Sequence, residues 1–458
     1  MDAKRLLISL LLAARLFAGD SAAPPVSTGK AGGQAGGQTG GQTGGQTAGW
    51  PMVDRSPADR LPHWLRIGGQ IRGRWEMPSG TSLTNSGRDG YYASRLRVTV
   101  GVQPVAWLRF GFEAQDARTA GYGLARAPTT LYNPIDIRQA YLSVQHEGPV
   151  SFSLRGGRQE LAFGAERLIG PADWGMSRTF DALDLTVGKG GFKVDLLAGS
   201  AVLIDSTRLD RHRPGEHFYG AYAAWKASAG FNVEPYMLFK QNLAIKSETG
   251  VTGDALLASP GMRVFGKVAG RFDYSGEATV QRGSYSADRV EAFGYAGTAG
   301  WTVLPDFGKL RASVEYAYAS GDSYNRDGMR KTFDQFYPSN HGYYGMIDQF
   351  GWKNLKNLRA GLDFQPHRKL KVRADYNDFS LATVQDSLYN SSGSPAALNR
   401  AATSGHIGNE VNGVAVYQWS KIWKFGAGLG HLFAGQYLRE SKAGFGYTYP
   451  YVMVVGTM

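Results

Sequence analysis

Residues 64–76 read Trp64-Leu65-Arg66-Ile67-Gly68-Gly69-Gln70-Ile71-Arg72-Gly73-Arg74-Trp75-Glu76. Successive side chains of a strand point to opposite faces. An extended chain here therefore puts Leu65, Ile67, Gly69, Ile71, Gly73 and Trp75 on one face, and Arg66, Gly68, Gln70, Arg72, Arg74 and Glu76 on the other. A two-sided oily core cannot accept the second row. A soluble sandwich could place one such strand between core and water, but the pattern recurs along nearly the whole chain with aromatics on the apolar row. A closed barrel in lipid around a wet, charged lumen accommodates both faces.

The recurrences are specific. Over 92–103, Leu96, Val98, Val100 and Val102 oppose Arg95, Arg97 and Thr99. Over 271–281, Phe272, Tyr274, Ala278 and Val280 oppose Arg271, Asp273, Glu277 and Gln281, and over 370–377, Leu370, Val372, Ala374 and Tyr376 oppose Lys371, Arg373, Asp375 and Asn377. An Arg or Lys facing lipid at mid-membrane costs ~2–4 kcal/mol, which assigns the charged rows inward. Trp64, Trp75, Trp107, Trp225, Trp301 and Trp423 at strand ends fit interfacial girdles. The last strand, 447–458, alternates too but ends in Met458 rather than an aromatic residue.

Turn chemistry gives the strand count. Short connections fall at 103–106, 145–150, 188–191, 227–230, 270–273, 302–308, 365–369 and 419–422. Long polar stretches alternate with them at 77–90, 116–133, 161–179, 205–216, 241–261, 283–289, 321–349, 381–407 and 435–445. Short turns on the periplasmic side and long loops outside imply an all-β, single-domain transmembrane antiparallel β-barrel of about eighteen strands. Its location would be the bacterial outer membrane, with outer-membrane lipid as one partner.

Composition agrees. The chain has 458 residues, 43% hydrophobic and 12% aromatic, with 62 Gly. Past the first twenty residues nothing approaches the ~18 apolar residues of a membrane helix. Residues 1–23 carry Lys4 and Arg5 before an apolar run and end in Ser21-Ala22-Ala23, as in a secretory signal peptide. Residues 24–62 hold a tract of Gly-Gly-Gln units and read as a flexible periplasmic linker, leaving 63–458 for the barrel. The absence of Cys suits an oxidising envelope and excludes thiolate metal sites and cysteine nucleophiles. A net charge of +12 points to an anionic partner. The excess lies on alternating strand positions and no recognition helix is evident, which argues against nucleic acid.

Three stretches resemble the alginate export family of outer-membrane barrels. The first is Gly157-Arg158-Gln159-Glu160-Leu161-Ala162-Phe163-Gly164-Ala165-Glu166-Arg167-Leu168-Ile169-Gly170, then Asp173-Trp174 and Arg178-Thr179-Phe180-Asp181-Ala182. The second is Phe336-Tyr337-Pro338-Ser339-Asn340-His341-Gly342-Tyr343-Tyr344-Gly345, then Gly351-Trp352-Lys353-Asn354. The third is His406-Ile407-Gly408-Asn409-Glu410-Val411-Asn412, then Gly430-His431-Leu432-Phe433-Ala434-Gly435-Gln436-Tyr437-Leu438. Their order and spacing span residues 64–458. The resemblance implies an eighteen-stranded barrel whose arginine-rich lumen conducts an anionic polysaccharide outward, with periplasmic polysaccharide-handling proteins as further partners. The chain departs from the family pattern in two ways. Asn412 and Gln436 stand where acidic residues are expected, and 419–422 replaces a long periplasmic plug between the sixteenth and seventeenth strands, favouring an open or differently closed pore.

The expected pore-lining residues are Arg72, Arg74, Arg95, Arg97, Arg109, Arg155, Arg158, Arg167, Arg178, Asp181, Arg359, Arg373 and Glu410. Arginine stays charged and forks onto carboxylates, and interspersed acids keep a polyanion from being trapped. Inward ion pairs can equally hold the wall without touching cargo. For Arg158, Arg167, Arg178 and Asp181 the long loop 161–179 could fold inward and constrict the pore. Alternatives are a general or small-anion porin on the same scaffold, or a surface-binding barrel acting through its long extracellular loops. An enzyme has little support: Ser339 and His341 sit two apart with no recognisable oxyanion feature. The scattered His residues lack metal spacing, no phosphate cradle is indicated, and no cofactor is expected.

Overall fold

The computed structural model describes residues 61–79, 83, 90–121, 130–444 and 446–458. The expected signal segment and nearly all of the linker lie outside these residues. Eighteen long antiparallel strands run from Leu65–Glu76 and Tyr91–Val105 round to Trp423–Ala434 and Tyr447–Thr457. The sheet closes on itself where the last strand pairs with the first, from Gln70↔Thr457 to Glu76↔Tyr451. Closure leaves no unpaired edge in the lipid, where an exposed backbone amide would have no partner.

Short turns connect the strands at one end where the sequence places them. Ala106 and Trp107 link Tyr91–Val105 to Leu108–Ala120, and 419–422 link His406–Gln418 to Trp423–Ala434. At the other end two expected loops are mostly strand. Asn232–Lys246 and Thr252–Val268 pair along most of 241–261, and Phe272–Tyr285 meets Asp288–Leu304 through only Ser286 and Ala287. These hairpins carry polar residues on both rows at their tips (Gln241, Asn242 and Lys246). Where both faces meet water, the apolar alternation that marks a strand in lipid is not needed, so the sequence loses its signal there.

The two rows separate as expected. Ile67, Ile71 and Trp75 stand exposed on the outer surface, while Arg74 and Glu76 are buried inside. Trp64, Trp107, Trp225, Trp301 and Trp423 lie beside the short turns, exposed outward, and Trp75 lies at the opposite end.

The upper lumen differs from the wet channel expected. An apolar core fills it, built from Phe163, Leu168 and Ile169 of one loop and Phe333, Phe336, Tyr337, Tyr344 and Trp352 of another. These pack on wall residues Phe180, Phe218, Leu238, Leu355 and Phe379. Loops 160–179 and 320–354 therefore fold into the barrel as a plug.

Candidate functional site at the lumenal constriction

The two inserted loops join by backbone hydrogen bonds. Tyr337 N donates to Leu168 O at 2.7 Å, Gly170 N to Tyr337 O at 2.9 Å and Ser339 N to Glu166 O at 2.9 Å. Ser339 Oγ accepts from Ala172 N at 2.9 Å. The His341 ring stacks on Trp174 with centroids 4.2 Å apart, and its Nδ1 meets Asp348 at 2.8 Å. Ser339 and His341 thus each tie one loop to its surroundings.

One end of the plug rests on the expected arginine rows. Arg72 donates to Asp173 O at 3.0 Å and to Gly175 O at 2.6 Å. Arg95 grips the Asp173 carboxylate through both terminal nitrogens, at 2.8 and 3.2 Å, and also reaches Gly175 O at 2.9 Å. Arg97 adds a third bond to that carboxylate at 2.7 Å and one to Met176 O at 2.9 Å. Arg74 donates to Trp174 O and lies 4.2 Å over the Trp174 ring. Enclosure deep within the barrel pushes the Asp173 carboxyl up even though its side chain still reaches water, but the fields of Arg95, Arg97, Arg72 and Arg138 together hold it well below the usual carboxylate range.

The other end is held by carboxylates. Glu315 takes Arg167 at 2.7 Å and Arg359 at 3.2 Å. Glu410 accepts from Met346 N at 2.6 Å and Ile347 N at 3.3 Å, and Arg359 donates to Gly342 O. Gly345 has φ +85, and a Cβ there would run into Glu410, so the chain can pass over this carboxylate only as glycine. Glu410→Ala is expected to leave the Met346 and Ile347 amides without an acceptor at a cost of about 1–3 kcal/mol. Faster hydrogen exchange at those two amides, with the strand amides unchanged, is the measurement.

Of the remaining expected residues, Arg155 pairs with Asp184 at 3.6 Å and Arg373 with Asp375 at 3.4 Å. Arg109 is partly buried on the wall near Gln103. Arg178 lies in the loop and donates to Gly170 O and Pro338 O; burial lowers its pKa to about 10, which leaves it charged at neutral pH. Arg158 and Asp181 require correction. They pair bidentately at 2.8 and 3.0 Å, but Arg158 shares its row with exposed Phe152 and Leu154, and Asp181 with exposed Leu183 and Val187. This is the outward row. Arg155 and Arg158 are three residues apart on an unbroken strand, so they cannot share a face.

One wall residue was missed. Lys424 pairs in register with Val455, Val455 with Arg72, and Arg72 with Arg95, so the three cations form an arc across the barrel seam. Lys371 sits beside it, paired with Val416, which is itself opposite Gly426. Neither lysine makes an ion pair among the described residues. Buried carboxylates line the wall both near the arc, where Glu76 pairs with Arg74 and Glu113 with Arg138, and about half a turn away, where Glu234 and Glu277 flank Arg263. The departures at Asn412 and Gln436 fall in different places. Asn412 faces the lumen and donates to Asp375 at 3.0 Å, whereas Gln436 opens the short helix Gln436–Glu440 in the loop between the last two strands and donates to Thr403 Oγ1 at 2.7 Å.

The sequence matches the alginate export family over residues 63–446, and the chain belongs to that family. No curated protein was found to match it. Among solved structures it resembles OccK5 (OpdH) of Pseudomonas aeruginosa, with a TM-score of 0.58 at 9% identity, covering 86% of this chain and 98% of that one. It also resembles OccAB4 of Acinetobacter baumannii, with a TM-score of 0.58 at 9% identity over 87% of this chain and 99% of that one. A BenF-like porin from Pseudomonas fluorescens Pf-5 gives a TM-score of 0.57 at 11% identity over 86% and 98%. Family and fold place the chain in the bacterial outer membrane as a channel-type barrel.

Proposed function

We propose that this channel passes anionic solutes, and that uronate-containing polysaccharide or oligosaccharide is the class it takes. The observation that carries this reading is the arc of Lys424, Arg72 and Arg95 with Lys371 beside it, on one wall of the lumen. Cations without a carboxylate partner in a low-dielectric passage raise the local concentration of carboxylates. Lys371 and Lys424, having no ion pair, are available to it. Membership of the alginate export family supports an acidic sugar over a simple anion.

A planar bilayer tests the reading. The purified protein is expected to prefer chloride over potassium, and Lys371→Glu with Lys424→Glu to lower that preference severalfold. Cation preference in the unaltered protein, or an unmoved ratio in the double variant, would end it. One observation favours the small-anion alternative: the upper lumen is packed by the inserted loops, so a polymer needs a wider passage past them than a small solute does. Liposomes separate the two. Uptake of uronate oligomers alongside monomers supports the sugar reading, and uptake of small anions alone supports the porin.

A further inference from the structure

Most ion pairs inside the barrel are buried at both partners, as a wall-bracing contact requires. Arg138–Glu113, Arg167–Glu315 and Arg263–Glu234 all expose less than a twentieth of either side chain. Asp173 differs. Its side chain is 47% exposed although the arginines that hold it, Arg95 and Arg97, are only 3% and 9% exposed. Among the described residues, no other carboxylate paired with a guanidinium less than a tenth exposed is as open. The cations form the buried back of a cradle and the Asp173 side chain lies at its open side.

From this geometry we infer that Asp173 is a built-in competitor for cargo: its carboxylate occupies a carboxylate-binding fork formed by Arg95 and Arg97, and an acidic solute passes by displacing it. The inference rests on the anion-channel reading and adds to it the site and the manner of exchange. Three bonds from two guanidiniums to one carboxylate match the pattern a uronate carboxylate would make. Exchanging one carboxylate for another makes as many charge-assisted bonds as it breaks. The arginines are never left bare, and the cargo is always opposed by a tethered rival at high effective concentration. This gives capture with rapid release, which conduction needs.

The loop can stay in place during the exchange, because arginines outside the fork also grip its backbone: Arg72 takes the carbonyls of Asp173 and Gly175, and Arg74 that of Trp174. The carbonyls of Asp173, Trp174, Gly175 and Met176 all accept from Arg72, Arg74, Arg95 or Arg97. Trp174 Nε1 also donates to Tyr449 at 3.2 Å. Acid does not free the site within the usual carboxylate range. The Asp173 pKa is depressed, so its pairing holds above the ordinary value near about 4 and is lost only as pH falls through the lower folded-state value.

The probe is D-glucuronate added to the full chain in planar bilayers, with its apparent affinity read from concentration-dependent current block. Asp173→Asn removes the competing charge while keeping shape and size. It is expected to tighten glucuronate affinity about tenfold and lengthen each blocking event. Asp173→Glu, which retains the charge, is expected to stay within about twofold of the unaltered protein. Unchanged affinity in Asp173→Asn, with anion preference intact in the unaltered protein, overturns the competitor and leaves the anion channel standing. Equal tightening in Asp173→Glu also overturns it, because the effect then comes from disturbing the loop. Absence of anion preference in the unaltered protein removes both readings together.

Discussion

Glu315→Ala is expected to loosen the lumenal plug while the barrel stays closed, and to raise single-channel conductance and current noise. Glu315 stands on the inner row of Leu310–Ala319, 2% exposed, and also accepts from Thr298 Oγ1 at 2.7 Å. It is the shared counter-charge of Arg167, from one inserted loop, and of Arg359, which holds the other through Gly342 O. Its removal leaves two guanidiniums in a buried position without their carboxylate. Breaking a buried pair from one side costs about 3–5 kcal/mol. Arg167 keeps the Tyr344 hydroxyl at 3.0 Å and the Tyr343 ring at 4.2 Å, so it would not be wholly unpartnered. The cost falls on the loops, since the ladder from Arg311↔Asp363 to Ala319↔Leu355 does not use the side chain. Protease cleavage within 320–354 should therefore accelerate while the strands stay resistant. An unchanged cleavage pattern together with unchanged conductance would show that Glu315 does not hold the plug.

How much of this was legible in the sequence follows from where a periodic signal exists. Strands in lipid must alternate, so Leu96, Val98 and Val100 against Arg95, Arg97 and Thr99 could be assigned to faces from the residues alone. The inserted loops obey no period. Nothing in the spacing says that Ile169 pairs with Tyr337 or that Arg167 meets Trp352, because these contacts cross more than 150 residues of chain. Arg72, Arg74, Arg95 and Arg97 fall on alternating rows in the sequence, but their engagement with loop carbonyls depends on that insertion. Arg158 and Asp181 were legible and misread: each is an odd number of positions from an inward neighbour, Gln159 and Phe180, and parity alone puts both outside. Lys424 was legible too. Phe425, Leu429 and Phe433 mark the outer row of Trp423–Ala434, which leaves Lys424 at the foot of an inner row otherwise made largely of glycine.

Trp352→Ala is expected to be as damaging as Glu315→Ala, through a cavity rather than a bare charge. Trp352 is 0% exposed and lies in a slot that the wall makes for it, since Ala292, Gly294 and Ala296 present little bulk on the inner row of Asp288–Leu304. A Cβ on Gly294 would sit 3.1–3.2 Å from atoms of Phe333 and Trp352, which shows how closely the indole and its neighbour approach that strand. Phe333 meets the indole edge-on at 5.0 Å, Tyr344 stacks at 6.2 Å, and Nε1 donates to Tyr318 O at 3.0 Å. Truncating a fully buried Trp costs about 3–5 kcal/mol, because the surroundings collapse only partly onto the space left. Trp352→Phe should recover most of the packing and lose only the hydrogen bond, about 0.5–1.5 kcal/mol. Arg167 lies 5.8 Å from the indole, so this change and Glu315→Ala act on a common group and their effects should not add. A double variant whose plug is little more mobile than either single one, by protease rate and by current noise, is the expected result. Strict additivity would mean that the two loops are held by separate anchors and that the plug does not move as one body.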